Sequence, residues 1–579
     1  MKERTDIGLS ILKTAVLVGV LADLLLRATP WGVNVTLFNI AFAAGMIMLL
    51  RRANPEALNR QTLGLFGAWM FFAAMFAWRD SIELRVADTV AIVIILSILF
   101  LPRIDVWPSV SGAAQYVLGF IWSAANAFAS PFILLVSDIE WSSSERTGLS
   151  KYVYSALRGF VIAAPLLVIF GALFIAADAA FQGLMERAFD IKPEVVFTHV
   201  FLAGGFAWLS AGYLRGVLLT GAVFPDSASA EEKPLDKDAA DAEQARDEGS
   251  DGTLKIPDNF SILDHINRSE EPNVSEAESS NGSNWTWAEI DNSVLPHAFT
   301  LGSVEIGVVL GLLNLLFLSF VIVQTPYLFG GMELVQNTPD YKLAEYARRG
   351  FGELVAVAAL VLPVLLAGHW LVRNGDKVAG KLFRVLAGVQ IALLFVIMAS
   401  AVQRLVLLTG PLGYGLTTVR LYPLIFMTWL AVVFVWFCAT VLRGARKHFA
   451  WGALWAAIVI LGATHLLDPD AFIVKNNLEL MRQGRPFDAT YNSELSDDAI
   501  PQLIQGLPAM PPESRCEVGS ALHYRYRELG RETDLRSLNY SRQRAFALLR
   551  SNDALLHETP ECPPQYSNDM NAAQGDDLR

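Results

Sequence analysis

The residues best suited to chemistry are arginines, tyrosines and carboxylates near the ends of apolar segments in the second half of the chain. An arginine guanidinium binds phosphate or carboxylate through two parallel hydrogen bonds, so these residues predict a site for an anionic ligand or a lipid headgroup. The same groups could instead form a charge-paired network that holds neighbouring helices together. The candidate ligand-binding residues are Gln324, Tyr327, Glu345, Tyr346, Arg348, Arg349, Glu353, Arg404, Tyr414 and Arg420.

Two further groups could carry chemistry. Glu305 lies inside an apolar segment and is a candidate buried carboxylate, either a proton carrier or a carboxyl group hydrogen-bonded to a neighbouring helix. Cys516 and Cys562 are a candidate disulfide, because both lie in the C-terminal region and could pair in an oxidising compartment. The third cysteine, Cys438, lies in an apolar segment and is expected to pack as a small hydrophobic residue.

Motifs of the common enzyme classes are absent from the sequence. We find no phosphate-binding Walker loop, no serine-hydrolase elbow, no zinc-protease motif and no metal-ligand spacing of cysteine or histidine. We therefore expect no cofactor and no metal, and the sequence favours a protein that is not an enzyme. The expected partners are the lipid bilayer and an anionic ligand or headgroup, and we expect no binding to nucleic acid.

The elements that must position these residues are long apolar blocks. Apolar residues make up 53% of the 579 residues and charged residues only 18%, below the share of about 25% typical of soluble domains. Each block has roughly the 20 residues that a helix needs to cross a hydrocarbon layer. The net charge of −12 is local, because residues 226–291 hold 18 acidic and 5 basic residues, a net of −13. The fold class is therefore all-α: a polytopic integral membrane protein with about 11 transmembrane helices and a small helical C-terminal tail.

The basic loops predict on which side of the membrane each apolar block begins and ends. Cytoplasmic loops are enriched in lysine and arginine, and the basic loops fall on one side only if residues 107–138 do not cross the membrane. This predicts a cytoplasmic N-terminus and an extracytoplasmic C-terminal tail. The predicted spans are 8–26, 33–50, 62–78, 86–101, 158–177, 195–219, 300–323, 351–372, 383–407, 420–442 and 450–467.

The predicted domains follow from these spans. An N-terminal membrane block of four helices (1–106) precedes an interfacial or re-entrant segment (107–140) and membrane helices 5 and 6 (141–223). An acidic, disordered cytoplasmic linker (224–298) leads to a C-terminal membrane block of five helices (299–467). Residues 468–579 form the extracytoplasmic tail, with helices expected near 497–506, 513–530 and 540–556.

Several motifs are spaced along the second half of the chain. They include Gly302-Ser303-Val304-Glu305, Tyr327-Leu328-Phe329-Gly330-Gly331, Glu345-Tyr346-Ala347-Arg348-Arg349, Tyr414-Gly415-Leu416-Thr417, Asp468-Pro469-Asp470-Ala471, Asn477 and Leu495-Ser496-Asp497-Asp498-Ala499. Together they resemble a bacterial family of multi-pass membrane proteins, the domain of unknown function 4173, which is related to number 4153. The likeness covers roughly residues 150–505 and implies a bacterial inner-membrane protein without an assigned activity.

Three functions stay open at this point. The first is a sensor or accessory protein that binds an anionic ligand or lipid headgroup at its outer face. The second is a secondary transporter that uses Glu305 as its coupling carboxylate, with Pro363 as a possible break in a helix. The third is a membrane enzyme that acts on a lipid-linked substrate, with Glu345 or Glu353 as the base.

Overall fold

A computed structural model of the chain describes residues 2–139 apart from 105, then 193–219, 300–329, 343–373, 376–409, 415–531 and 534–559. The first part of the chain forms six long helices. They are α1 (Lys2–Leu26), α2 (Val33–Ala53), α3 (Arg60–Trp78), α4 (Ile82–Leu99), α5 (Ala113–Ile133) and α6 (Pro193–Leu218). Short polar turns separate α1 to α4, and Asn59 caps α3 by accepting a hydrogen bond from the backbone of Thr62.

The second part forms five more long helices and then a group of short ones. The long helices are α7 (Ser303–Phe329), α8 (Leu343–Leu371), α9 (Lys377–Thr409), α10 (Thr418–Thr440) and α11 (Phe449–Leu467). The short helices are α12 (Pro469–Arg482), α13 (Ala489–Glu494), α14 (Ile500–Gly506), α15 (Pro512–Arg531), α16 (Tyr540–Ser551) and α17 (Asp553–His557). Within the described residues, β-pairing is limited to one bridge between Leu301 and Val372.

Each of α1 to α11 is long and apolar enough to cross a membrane. A helix satisfies its own backbone hydrogen bonds, which a spanning segment requires because the hydrocarbon layer offers no partners. The chain is an all-α, polytopic membrane protein with a helical C-terminal part, as the composition predicts. Ten of the predicted spans correspond to described helices, whereas span 158–177 and the linker 224–298 lie outside the described residues.

Helix α5 falls in the segment for which we predict an interfacial or re-entrant position. Its first half contacts the last turn of α4, where Ser123 Oγ lies 3.4 Å from Ser97 Oγ. Asp138, one helical turn beyond α5, pairs with Arg4 at the beginning of α1 and with Arg215 near the end of α6. Both ends of α5 therefore contact the same end of the bundle. The interfacial or re-entrant position of this segment stays a prediction. The contacts agree with that position, although the helix is long enough to cross the membrane.

The helices in the first part of the chain pack closely at glycines. A Cβ atom added at Gly19 of α1 would lie 2.3 Å from the carbonyl oxygen of Ala203 in α6. A Cβ atom at Gly212 of α6 would lie 2.3 Å from the carbonyl oxygen of Ala127 in α5. Small residues allow helix backbones to approach in this way, which replaces the hydrophobic driving force that is missing inside a bilayer.

Helices α12 to α17 form a domain with its own hydrophobic core, which we call the C-terminal domain. Its core combines side chains from all six of these helices, among them Val474, Leu503, Val518 and Leu549, each at most 2% exposed. Helices near 497–506, 513–530 and 540–556 are predicted from the sequence, whereas α12 and α13 are not. The C-terminal domain contacts the end of α1, where Arg536 donates to the carbonyl oxygen of Leu24 at 2.5 Å. We call this end of the bundle the C-terminal face, and the end where α1 begins the N-terminal face.

Candidate functional site at the C-terminal face

The turn between α3 and α4 carries three consecutive polar residues, Arg79, Asp80 and Ser81, between two apolar helices. The guanidinium of Arg79 is buried and donates from Nε and Nη2 to the carbonyl oxygen of His465, at 3.0 and 2.7 Å. It also lies over the ring of Trp78, 4.7 Å from the ring centre, in a cation–π contact. Arg79 therefore fixes this turn to the end of α11.

The carboxylate of Asp498 binds the same turn from the C-terminal domain. Its Oδ2 accepts hydrogen bonds from the backbone of Asp80 at 2.7 Å and of Ser81 at 3.2 Å. Its Oδ1 accepts from Arg79 Nη1 at 3.2 Å and from the hydroxyl of Ser541. Four donors thus converge on one carboxylate that is only 5% exposed. Such hydrogen bonds to a charged group are worth roughly 1.5–3 kcal/mol each.

The beginning of α16 completes this contact by capping the end of α3. The amide of Asn539 donates to the carbonyl oxygens of Phe76 and Arg79, both at 2.9 Å. The hydroxyl oxygen of Ser541 also lies 2.9 Å from the carbonyl oxygen of Trp78, so its single proton is shared between this carbonyl and Asp498. These carbonyls belong to the last turn of α3 and to Arg79, the residue that follows it, and such carbonyls lack partners within a helix. We call this contact region the joint, and it consists of Arg79, Asp80, Ser81, Asp498, Asn539 and Ser541.

Two more carboxylates lie beside the joint, where α11 meets α12. Asp468 has a left-handed backbone (φ 56°) that allows one residue to end α11 and begin α12, and its side chain pairs with Arg79. Burial and the neighbouring Asp498 raise the pKa of Asp468, while Arg79 opposes this shift. Asp470 is 2% exposed and accepts hydrogen bonds from the hydroxyl and backbone of Ser496. Burial raises the pKa of Asp470 to about 6.

A second polar pair lies deeper, between α4 and α11. Asp88 Oδ1 and His465 Nε2 are 2.9 Å apart, and the two residues are 1% and 0% exposed. The other ring nitrogen of His465, Nδ1, has no hydrogen-bond partner within the described part of the chain. Because the carbonyl oxygen of His465 binds Arg79, this pair is directly continuous with the joint. The arrangement can hold a proton at membrane depth.

The described residues contain no group of three or more histidines, cysteines or carboxylates that could hold a metal ion. The carboxylates of the joint are occupied by arginine, hydroxyl and backbone donors instead. These contacts attach the C-terminal domain to the turn between α3 and α4.

Nine of the ten residues predicted to bind a ligand belong to α7 to α10, in the halves of these helices nearer the C-terminal face. Gln324 and Tyr327 belong to the end of α7, and Glu345, Tyr346, Arg348 and Arg349 to the beginning of α8. These six side chains and Tyr414 lie outside the described residues. The role of the set as a ligand site stays a prediction.

Three members of this set have described side chains. Arg404 is buried at the end of α9, at 9% exposure. Arg420, in the first turn of α10, is half-buried and donates to the carbonyl oxygen of Gly415 at 2.5 Å. Glu353 is exposed on α8. Arg404 and Arg420 therefore both lie where α9 ends and α10 begins, next to the C-terminal domain, whose Asn477 accepts a hydrogen bond from the backbone of Leu416 at 2.7 Å.

The prediction that Glu305 is a buried carboxylate is wrong. Glu305 is exposed in the first turn of α7, and its carboxylate accepts a hydrogen bond from the backbone of Gly302 at 3.1 Å. This is the position from which an acidic side chain caps the beginning of a helix, so solvation and capping explain its charge. Helix α8 also continues through Pro363 without a break.

The cysteines are partly described. Cys438 is a free thiol. Cys516 is buried in α15 and is not a free thiol. Its predicted partner, Cys562, lies outside the described residues, so the pairing with Cys562 stays a prediction.

Sequence reasoning missed the most highly connected residues of the site. The sequence pattern does not single out Arg79 or His465, whereas Asp88 carries a usable signal, because it is an ionisable residue inside an apolar helix. Asp468, Asp470 and Asp498 were noticed only as part of the family resemblance. The structure brings these carboxylates together with the turn between α3 and α4.

A family model described as a domain of unknown function, DUF4153, matches residues 66–245 and 266–506, well over half of the chain. The chain belongs to the DUF4153 family. The resemblance to the neighbouring family 4173 is not confirmed. The matched region of this DUF4153 protein includes Arg79, Asp88, His465 and Asp498, whereas Asn539 and Ser541 lie beyond it. No curated protein and no solved structure matches the chain.

Proposed function

We propose that this DUF4153 protein is a non-enzymatic sensor or accessory protein of the bacterial inner membrane. In this proposal an anionic ligand or lipid headgroup binds at the C-terminal face, and the C-terminal domain transmits binding to the membrane helices. The observation that carries the proposal is the joint, in which Asp498 binds the side chain of Arg79 and the backbone of Asp80 and Ser81.

The joint supports sensing because it couples the C-terminal domain to α3 and α4. Moving the domain alone would break several buried, charge-assisted hydrogen bonds, each worth roughly 1.5–3 kcal/mol. A ligand shifts a conformational equilibrium only if it binds the two conformations with different affinity. A rigid contact such as the joint would then transmit the movement of the C-terminal domain to α3 and α4. The domain and the α3–α4 turn are therefore expected to move together.

The proposed ligand site lies beside the same domain. Arg404 and Arg420 lie where α9 ends and α10 begins, and Arg348 and Arg349 belong to the adjoining beginning of α8. Lysine and arginine are depleted in extracytoplasmic loops. In the predicted topology this face is the outer one, so arginines at this face favour a functional role. The contacts of Arg4 and Arg536 place the N-terminus and the C-terminal domain at opposite ends of α1, as a cytoplasmic N-terminus and an outer C-terminal domain require.

An enzymatic role has less support. General-base catalysis requires a carboxylate within reach of a substrate. The buried carboxylates Asp88 and Asp498 are instead engaged by His465 and by the donors of the joint.

Inorganic phosphate is a suitable probe of the anion site. We expect it to raise the Tm of the full-length protein in neutral detergent, at constant ionic strength so that screening does not change. A site with a Kd of about 1 mM gains about 1.4 kcal/mol at roughly 10 mM phosphate. The double variant Arg404→Gln with Arg420→Gln should lose this gain, and Arg420→Gln alone should weaken it.

The matched control is Arg51→Gln with Arg52→Gln, which removes two exposed positive charges from the opposite face. This control should respond to phosphate like the wild type. The proposal fails if phosphate has no effect beyond that of chloride, or if the control loses the response equally. Hydrogen exchange tests the coupling: phosphate should alter protection of the α3–α4 turn in the wild type, and this response should be absent after Asp498→Asn.

The pair of Asp88 and His465 favours a second candidate function, a proton-coupled transporter. A buried carboxylate next to an imidazole whose Nδ1 has no described partner can accept and release a proton inside the membrane. Asp88 would then take the role that the sequence suggests for Glu305. In proteoliposomes, Asp88→Asn should abolish proton flux and Glu305→Gln should leave it unchanged. The reverse result would eliminate this candidate.

A further inference from the structure

An apolar groove runs between α10 and α11 in the half of these helices nearer the N-terminal face. Its volume is about 450 Å³, within the size range of small-molecule sites. It is open toward the surroundings of the helices, since Val435 is 60% exposed. The lining residues are Ala431, Val432, Val435, Trp436, Gly452 and Ala456.

The groove has a fixed shape at its end nearest the N-terminal face. Trp436 lies against α11 because Gly452 has no side chain there: a Cβ atom at Gly452 would lie 2.1 Å from the indole nitrogen. That nitrogen donates to the carbonyl oxygen of Phe449 at 3.2 Å, so the polar end of Trp436 is satisfied. A tryptophan with its ring on an apolar surface and its N–H bonded is typical of the membrane–water interface.

A basic turn lies directly beyond this end of the groove. Arg443, Arg446 and Lys447 lie between the end of α10 and the beginning of α11, and all three are exposed. Within the described residues, no carboxylate lies within ion-pair distance of these three side chains. From Val435 to Arg443 the distance along a helix axis is only about 12 Å. Long basic side chains can therefore reach a group at the mouth of the groove.

We propose that this groove binds an acyl chain of an anionic glycerophospholipid, whose phosphate is held by Arg443, Arg446 and Lys447. The groove matches the acyl chain because its lining is apolar. The turn matches the headgroup because it carries three positive charges, and no carboxylate of the described residues lies within ion-pair distance of them. Basic pockets between membrane helices bind anionic headgroups by this combination. The site lies at the opposite face from the proposed ligand site and does not depend on it.

The charge complementarity distinguishes this site from ordinary contact with bulk lipid. Any apolar helix face contacts acyl chains, but such contact has no preference for a headgroup. Arg51, Arg52 and Arg60 provide an internal comparison, because they place three arginines at the same face, around the turn between α2 and α3 that also carries Glu56. The proposed site should bind lipid more strongly than this turn because it combines charge with the groove.

Native mass spectrometry of the full-length protein, with phosphatidylglycerol or phosphatidylcholine added to neutral detergent micelles, tests the proposal. The wild type should retain phosphatidylglycerol at least tenfold more strongly than phosphatidylcholine. Replacing Arg443, Arg446 and Lys447 by glutamine should remove that preference. Each cation removed should lower the retention of phosphatidylglycerol roughly fivefold. Ala456→Phe, which fills the groove and leaves the charges, should lower retention of both lipids.

The control replaces Arg51, Arg52 and Arg60 by glutamine and should keep the preference for phosphatidylglycerol. Equal retention of both lipids by the wild type overturns the proposal, as does an equal loss of preference in the control. If only the charge variants have an effect and Ala456→Phe has none, the headgroup binds without the groove and the proposal is also overturned. An unchanged Tm of the variants in lipid-free detergent establishes that they are folded.

Discussion

Asp470 offers a quantitative test of the polar region beside the joint. Burial raises the pKa of its carboxyl to about 6, from an ordinary value of 3.8. The folded protein therefore binds this proton more tightly than the unfolded chain does. The stabilisation from the proton is fully present below pH 3.8 and is lost as the pH rises to about 6. The perturbation is Asp470→Asn, which keeps the shape and removes the charge.

The expected magnitude follows from the shift in pKa. A difference of about two pKa units corresponds to about 3 kcal/mol between the two protonation states. Asp470 is 2% exposed, so solvent screening reduces this value little. Near pH 4 the variant and the wild type should have similar stability. At pH 7 the variant should be more stable by up to about 3 kcal/mol, less any weakening of the hydrogen bonds from Ser496.

Hydrogen exchange of amides in α12 and α14 measures the free energy of local opening directly. The difference between variant and wild type should grow between pH 4 and 6 and remain constant above it. The control is Glu479→Gln on the same helix, where the carboxylate is 58% exposed and pairs with Arg482. A difference that does not change with pH, or a variant less stable than the wild type at pH 7, would refute the reasoning.

Three further predictions concern the joint, the topology and helix packing. Asp498→Ala should weaken the attachment of the C-terminal domain by about 3–5 kcal/mol, because Arg79 loses a buried partner, and limited proteolysis should then release the domain faster. Reporter fusions after residue 139 and before residue 193 should report opposite sides of the membrane, since these positions lie near opposite ends of α1. Gly212→Val should lower the Tm by at least several degrees because the backbones of α5 and α6 touch there, whereas a Cβ atom at Gly204 meets open space and Gly204→Ala should be neutral.

Hydropathy predicted ten of the eleven candidate spans that the structure describes. It worked because a spanning helix is a local feature: about 20 apolar residues satisfy both the length and the hydrogen-bonding requirement. The same argument failed for Glu305, because hydropathy does not tell whether a carboxylate near a helix end points into the bundle or caps its own backbone. Glu305 caps the beginning of α7.

The sequence also indicated that residues 468–559 contain helices, but it did not predict a compact domain with its own core. The sequence does not predict the short helices α12 and α13, because both segments are polar and their amphipathic pattern covers few turns. Their apolar positions become recognisable only when side chains from other helices cover them, as Leu503 and Val518 do for Val474.

The amino-acid sequence by itself determined that this chain is a helical membrane protein, which segments are apolar enough to cross, and where positive charge accumulates in the loops. Each of these properties depends on neighbours along the chain. Only the tertiary structure decided which charges meet. Asp88 and His465 are 377 positions apart, and Arg79 and Asp498 are 419 apart. Pairing at such separations depends on how the helices pack, and no local pattern in either segment identifies its partner.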